Sequence, residues 1–157
     1  MQRDEFVARY GGIYEHSPWV AERAFDAGLP AVPGALAAHL AAIVDTASHE
    51  RKLELIRAHP DLAGRAAIAG ELSAASTEEQ KRARLDLCTP AEFRRFQELN
   101  ARYRQKFGFP FVLAVRNRSR LDILAAFEQR LDNDPQTEFD TAIREIHEIA
   151  RLRLEAM

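Results

Sequence analysis

The chain has 157 residues, 46% of them hydrophobic and 29% charged, a balance that excludes an intrinsically disordered polypeptide and is enough for one domain with its own core. Lys plus Arg number 22 against 24 Asp plus Glu, a net charge of −2, so the basic excess of a dedicated nucleic-acid binder is missing. The one cysteine, Cys88, excludes an internal disulfide and a Cys cluster for zinc, and no apolar run approaches the ~18 residues of a transmembrane helix.

The N-terminal MQRDEFVARYGG has no apolar signal core, and the C-terminal RLRLEAM has no receptor-read address. The expectation is a cytoplasmic protein with neither nucleic acid nor membrane as partner. Ala occurs 27 times against 6 Val and 8 Ile, so strong helix formers outnumber β-branched residues.

Start and stop signals divide the chain into roughly eight predicted helices. The first covers about 2–9 and stops at Gly11-Gly12. Ser17 is the expected N-cap of the second, with Pro18 at its first position and Gly28 at its end. Leu36, Leu40, Ile43 and Val44 recur at helical spacing within 34–46. Ser48 is the expected cap of a helix that ends near His59. Residues 60–75 are rich in Gly and Ala and lack clear periodicity. Ser76 to about Leu87 forms the next predicted helix. Thr89-Pro90-Ala91-Glu92 has the form of a capping box and opens a helix carrying Phe93, Phe96, Asn100, Tyr103 and Phe107, stopped by Gly108. Ser119 and Asp122 cap another, through Ile123, Phe127 and Leu131. Thr137 is the expected start of a last helix with Phe139, Ile143, Ile146 and Ala150 on one face.

Residues 109–115 break this pattern. They form a continuous apolar run with Pro110 near its start, too short for a buried helix and pushed toward extended geometry. Its backbone polar groups must bond outside a helix, to a loop or to a ligand. No repeat or linker is visible. The fold class is therefore expected to be all-α, a single domain over 1–157 with one short extended segment at 109–115.

Three local features bear on chemistry. His59 precedes Pro60, which disfavours helical geometry at His59 and leaves its ring at a helix C-terminal end. The partial negative charge there favours imidazolium, and a histidine poised near neutrality is a common general acid or base; a plain helix stop accounts for the same pattern. Ser76 and Glu79 match a capping box, S-x-x-E. The N–H groups of such a helix start also bind anions, and Gln80 adds an amide that donates and accepts. Arg153 lies seven residues from Ile146, near the apolar stripe, where it can clamp a carboxylate in bidentate fashion; Arg151 falls on a more exposed face. No metal-ligand spacing, P-loop or Gly-rich nucleotide motif is present.

Taken in order, these features resemble the 2-oxo-4-hydroxy-4-carboxy-5-ureidoimidazoline (OHCU) decarboxylase family. The matching pieces are Gly12-Ile13-Tyr14-Glu15-His16-Ser17-Pro18-Trp19-Val20-Ala21, His59-Pro60-Asp61-Leu62-Ala63-Gly64, Ser76-Thr77-Glu78-Glu79-Gln80, Leu99-Asn100, Tyr103, Lys106-Phe107-Gly108-Phe109-Pro110-Phe111-Val112 and Leu152-Arg153-Leu154. The resemblance implies an all-α homodimer that decarboxylates a small ureidoimidazoline carboxylate to (S)-allantoin with no cofactor and no metal. It implies His59 as catalytic acid, with Glu79 and Arg153 as its catalytic partners. Substrate binding falls on Pro60, Ser76, Thr77, Glu78, Glu79 and Gln80, and on Phe111, Val112, Leu113, Ala114 and Val115. One departure stands out: the family often has Ala-Gly-Leu where this chain has Ala83-Arg84-Leu85, which bears on local packing and substrate fit. Two alternatives are a non-catalytic helical interaction module and a decarboxylase of a related ureido acid.

Overall fold

A computed structural model describes residues 1–63, 73–85 and 88–157. Residues 64–72 of the Gly- and Ala-rich stretch, and Leu87 at the expected end of the Ser76 helix, lie outside the described residues. Among the described residues the chain forms eight α-helices, one 3-10 turn and no strand. The helices are α1 (Arg3–Tyr10), α2 (Trp19–Asp26), α3 (Leu36–Asp45), α4 (His49–Arg57), α5 (Ala74–Arg82), α6 (Pro90–Phe107), α7 (Arg120–Leu131) and α8 (Pro135–Glu155). The all-α expectation holds, and residues 110–115 belong to neither helix nor strand.

Local chemistry sets most helix ends. The Ser48 hydroxyl accepts from Arg51 N, opening α4, and Thr89 with Glu92 forms a full capping box with Pro90 in the first turn of α6. Ser119 and Asp122 do the same for α7. Gly108 ends α6 at φ 77°, the left-handed conformation that glycine adopts without a Cβ penalty.

Three expected starts shift. Ser17 does not cap α2; its hydroxyl turns back to donate to Glu15 O at 2.8 Å. Asp134, rather than Thr137, opens α8, with Pro135 at its first position and Thr137 N donating to the Asp134 carboxylate at 2.9 Å. Ser73, rather than Ser76, caps α5 by accepting from Ser76 N at 3.1 Å. Each displaced start has a better cap two or three residues upstream, or a competing local bond for its hydroxyl.

Helix α8 is the centre of the bundle. Its buried face runs through Phe139, Ala142, Ile143, Ile146, Ile149, Ala150 and Arg153, the i, i+3, i+4 spacing of an amphipathic helix. It packs against α3, α4 and α6, while α1, α2 and α3 pack in succession and α7 lies on α6. Residues 109–115 are buried throughout. Phe111 stacks on Phe127 at 3.9 Å, and Tyr103 meets Phe109, Phe111 and Phe127 edge-on. Beneath this cluster, the fully buried Glu138 accepts from Tyr103 Oη at 2.5 Å, Arg130 Nε at 2.7 Å and Asn133 Nδ2 at 2.9 Å. The apolar segment is thus held from one side before any ligand is considered.

Candidate active site

The end of α4, the first two turns of α5, residues 111–115 and the last turns of α8 surround a cavity of about 870 Å³. His59, Pro60, Ser76, Glu78, Glu79, Gln80, Phe111, Val112, Leu113, Ala114, Val115 and Arg153 all line it. Of the residues expected at the site, Thr77 alone is off this wall.

His59 is 6% exposed. Its Nδ1 lies 3.0 Å from Leu55 O. A carbonyl only accepts, so Nδ1 carries the proton and Nε2 keeps its lone pair. Burial pulls the imidazole down to about 4, against the opposing pull of the Leu55 carbonyl and the Glu15 carboxylate. This corrects the expectation from the helix C-terminus: desolvation outweighs the helix dipole, and His59 is neutral at pH 7. Pro60 follows, and the loop is pinned from α5 and α6. Gln80 accepts from Ala63 N at 3.0 Å and donates to Asp61 O at 3.2 Å. Gln97 donates to Ala63 O, Asn100 to Leu62 O and Arg104 to the Asp61 carboxylate. The Gln80 amide, expected to meet a ligand, is committed at both ends to this loop.

Arg153 is 9% exposed, and protein groups engage all five of its N–H donors. Nε and Nη2 grip Glu79 in bidentate fashion, both at 2.9 Å. Nη2 also donates to Glu15 at 2.8 Å and lies 3.3 Å from Ser76 Oγ, and Nη1 reaches the carbonyls of Gly12 and Ile13. Burial opposes its charge and the two carboxylates more than restore it, so its pKa is raised. The expected capping box of Ser76 and Glu79 does not form. Ser76 donates to Glu15 at 2.5 Å, and Glu79 faces Arg153 rather than His59. Because Ser73 does the capping, both side chains are released into the site. Arg151 is exposed and paired with Glu148 and Glu155, as its face predicts.

Glu15 is the residue that motif reasoning passed over. It is 2% exposed. Burial pushes its carboxyl up, but hydrogen bonds from Ser73 and Ser76 and the Arg153 guanidinium prevail and hold it down at about 2. Its signal was the Tyr14-Glu15-His16-Ser17-Pro18 stretch, a charged residue just before a predicted helix, whose one local partner is the exposed His16 at 3.5 Å. Arg84, the departure from the family pattern, does not line the cavity. Its side chain is exposed and its backbone is left-handed, at φ 60°. A glycine at this position would adopt that conformation without a Cβ penalty.

A helical bundle that gathers a neutral histidine, a carboxylate held by arginine and an apolar peptide segment around one cavity defines a candidate small-molecule site. The comparisons give that class a family. The family model "OHCU decarboxylase" matches residues 1–155, and the chain belongs to this family. It is 46% identical over 151 residues to the 2-oxo-4-hydroxy-4-carboxy-5-ureidoimidazoline decarboxylase of Haloferax volcanii, covering 96% of this chain and 88% of the relative. It is 37% identical to the mouse decarboxylase of the same name, over 98% of this chain and 86% of that one. Among solved structures, "(S)-allantoin synthase" superimposes with a TM-score of 0.79 at 37% identity, covering 99% of this chain and 50% of that one. Among the described residues, no helix is long and apolar enough to cross a membrane, and no group of three or more His, Cys, Asp or Glu is arranged to hold a metal.

Proposed function

We propose that this protein, as one domain over 1–157, decarboxylates 2-oxo-4-hydroxy-4-carboxy-5-ureidoimidazoline to (S)-allantoin in urate breakdown. Loss of CO₂ leaves an electron pair on the ring carbon, and the adjacent ring C=N and carbonyl system accepts it. That internal sink is why no cofactor is invoked. The carbon that loses CO₂ keeps its oxygen, which becomes the new ring carbonyl, and one proton is taken up at the neighbouring ureido-bearing carbon, from one face to give one enantiomer.

His59 is assigned this delivery. The observation that carries the proposal is its buried, neutral imidazole, anchored through Nδ1 to Leu55 O with Nε2 left as the only proton-carrying position to fill. A substrate carboxylate entering the cavity favours imidazolium and loads Nε2 with the proton that the carbon then takes. Glu79, held flat by Arg153, accepts from the 4-hydroxyl as that oxygen becomes a carbonyl. Arg153 acts through Glu79, its own donors being occupied. Pro60, Ser76 and Glu78 shape the wall, and the peptide groups of residues 111–115 donate to the developing negative charge. Catalysis on a related ureido acid loses its motive, because Arg84 lies away from the cavity. A plain interaction module leaves a cavity of this size unexplained.

A homodimer working in the cytoplasm, with a small molecule rather than nucleic acid or membrane as its partner, completes the proposal; light scattering on the purified chain tests the dimer. The decisive assay couples urate oxidase and hydroxyisourate hydrolase to make the unstable substrate in situ, with allantoin followed by circular dichroism. Wild type is expected to produce one enantiomer without added cofactor. His59→Ala is expected to lose about 10²–10⁴-fold in rate, the usual worth of a general acid, with its helical spectrum intact. A folded His59→Ala protein with wild-type turnover refutes the assignment.

A further inference from the structure

Residues 112–114 are tied to three side chains that do not belong to the proposed chemistry. Arg130 Nη1 donates to Val112 O at 2.7 Å, and its guanidinium lies over the Phe111 ring at 4.4 Å. Glu145 accepts from Ala114 N at 3.1 Å. Arg118 Nε donates to Ala114 O at 3.1 Å. All peptide bonds are trans among the described residues, and in a trans peptide the N–H and C=O point in opposite directions. Fixing Val112 C=O and Ala114 N–H toward Arg130 and Glu145 therefore sends Leu113 N–H and Leu113 C=O to the other side, and Val115 N–H points opposite to the Ala114 C=O that Arg118 holds. Neither Arg130 nor Glu145 lines the main cavity, whereas residues 112–115 do, with the exposed Arg118 also on its wall. Among the described residues, no protein group hydrogen-bonds to those three outward atoms.

We infer that Glu145 and Arg130 are positioning residues that turn this segment into a donor–acceptor–donor row facing the cavity. Such a row is complementary to an acceptor–donor–acceptor ring edge, that of a cyclic imide or ureide. Arg130 is itself held by Glu138 within the Tyr103 network, so its reach to Val112 is set by the core. Glu145 is the adjustable partner: it is half-buried on α8, and among the described residues no arginine forms an ion pair with it. Without its acceptor, the Ala114 peptide is free to rotate, and Leu113 C=O, its other half, leaves the row. The inference rests on the proposed decarboxylation for its kinetic readout, and on product binding for an independent one.

The test compares Glu145→Leu, Glu145→Asp and Glu145→Gln in the coupled assay, and measures the affinity of each for (S)-allantoin by calorimetry. Gln keeps an acceptor at the same reach, whereas Asp keeps the charge and withdraws the oxygen by one methylene. The expected result is KM and allantoin Kd raised about tenfold in Leu and Asp, with kcat within about threefold, as one lost hydrogen bond implies. Gln is expected to rescue both. If Leu fails to fold, the Asp and Gln pair carries the same comparison. Equal behaviour of Asp and Gln, or a loss confined to kcat, overturns the inference. A wild type that neither turns over substrate nor binds allantoin instead overturns the proposed function, so the two failures are distinct.

Discussion

Glu15→Gln is the substitution that measures how the site is held together. The change is isosteric and removes the negative charge from a carboxyl that is 2% exposed and bonded to Ser76 and Arg153. The group falls from its ordinary 4.5 to about 2 in the folded protein, a difference that corresponds to about 3 kcal/mol of stability. Between pH 4.5 and 2 the unfolded chain holds a proton here that the folded chain lacks, so acid favours unfolding. The contribution is complete above pH 4.5 and lost as pH falls through about 2, at up to about 1.4 kcal/mol per pH unit. Urea unfolding of wild type and Glu15→Gln at a series of pH values isolates this term, because every other carboxyl cancels in the difference. The gap is expected to be about 3 kcal/mol at pH 7 and to close toward zero near pH 2, where a protonated Glu15 resembles glutamine. A gap that stays constant down to pH 2, or one below about 1 kcal/mol at pH 7, refutes the account of Glu15 as the ionised anchor of Arg153.

Two backbone substitutions test the left-handed positions with opposite signs. Arg84→Gly relieves a non-glycine residue at φ 60°, a strain of about 1 kcal/mol partly offset by the greater freedom of glycine in the unfolded chain; the urea midpoint is expected to rise by the equivalent of about 0.5 kcal/mol. Gly108→Ala imposes the same strain at φ 77°, while its Cβ meets Arg57 Nη2 only at an ordinary 3.9 Å; a loss of about 1 kcal/mol is expected from conformation alone. An unchanged midpoint in Gly108→Ala removes the conformational argument for both sites.

The helices were legible wherever a cap and an apolar stripe agreed. Thr89 with Glu92 and Ser119 with Asp122 formed the boxes their spacing predicts, because each sits next to its own helix with no rival. Ser76 with Glu79 has the same pattern, yet Ser73 lies one turn earlier with the same chemistry and wins the cap. Pattern matching ranks the two serines alike. The tertiary fold separates them, since Glu15 and Arg153 offer Ser76 and Glu79 better partners than the end of α5 does. Residues 109–115 were readable as non-helical and buried, since a run of that length with Pro110 fits no helix. Which of their peptide groups turn outward was not readable, because it depends on Arg130 and Glu145, 15 or more residues away along the chain.

The histidine shows the same division more sharply. That His59 lies at the end of α4 follows from Pro60, and a local argument from the helix dipole then favours its charged form. Its actual state is set by what closes over the ring, which is a property of the assembled bundle; burial outweighs the dipole and leaves the imidazole neutral. Glu15 is the mirror case. Burial by itself would raise its carboxyl, and only Arg153, 138 residues away, together with Ser73 and Ser76, reverses the sign. Desolvation acts on both groups, yet it neutralises the histidine and fails to neutralise the carboxylate, because one has a carbonyl for company and the other a guanidinium. The result is a resting site in which Glu15, Glu79 and Arg153 are already paired beside one uncharged base, so that an incoming carboxylate meets a group able to take up a proton beside it.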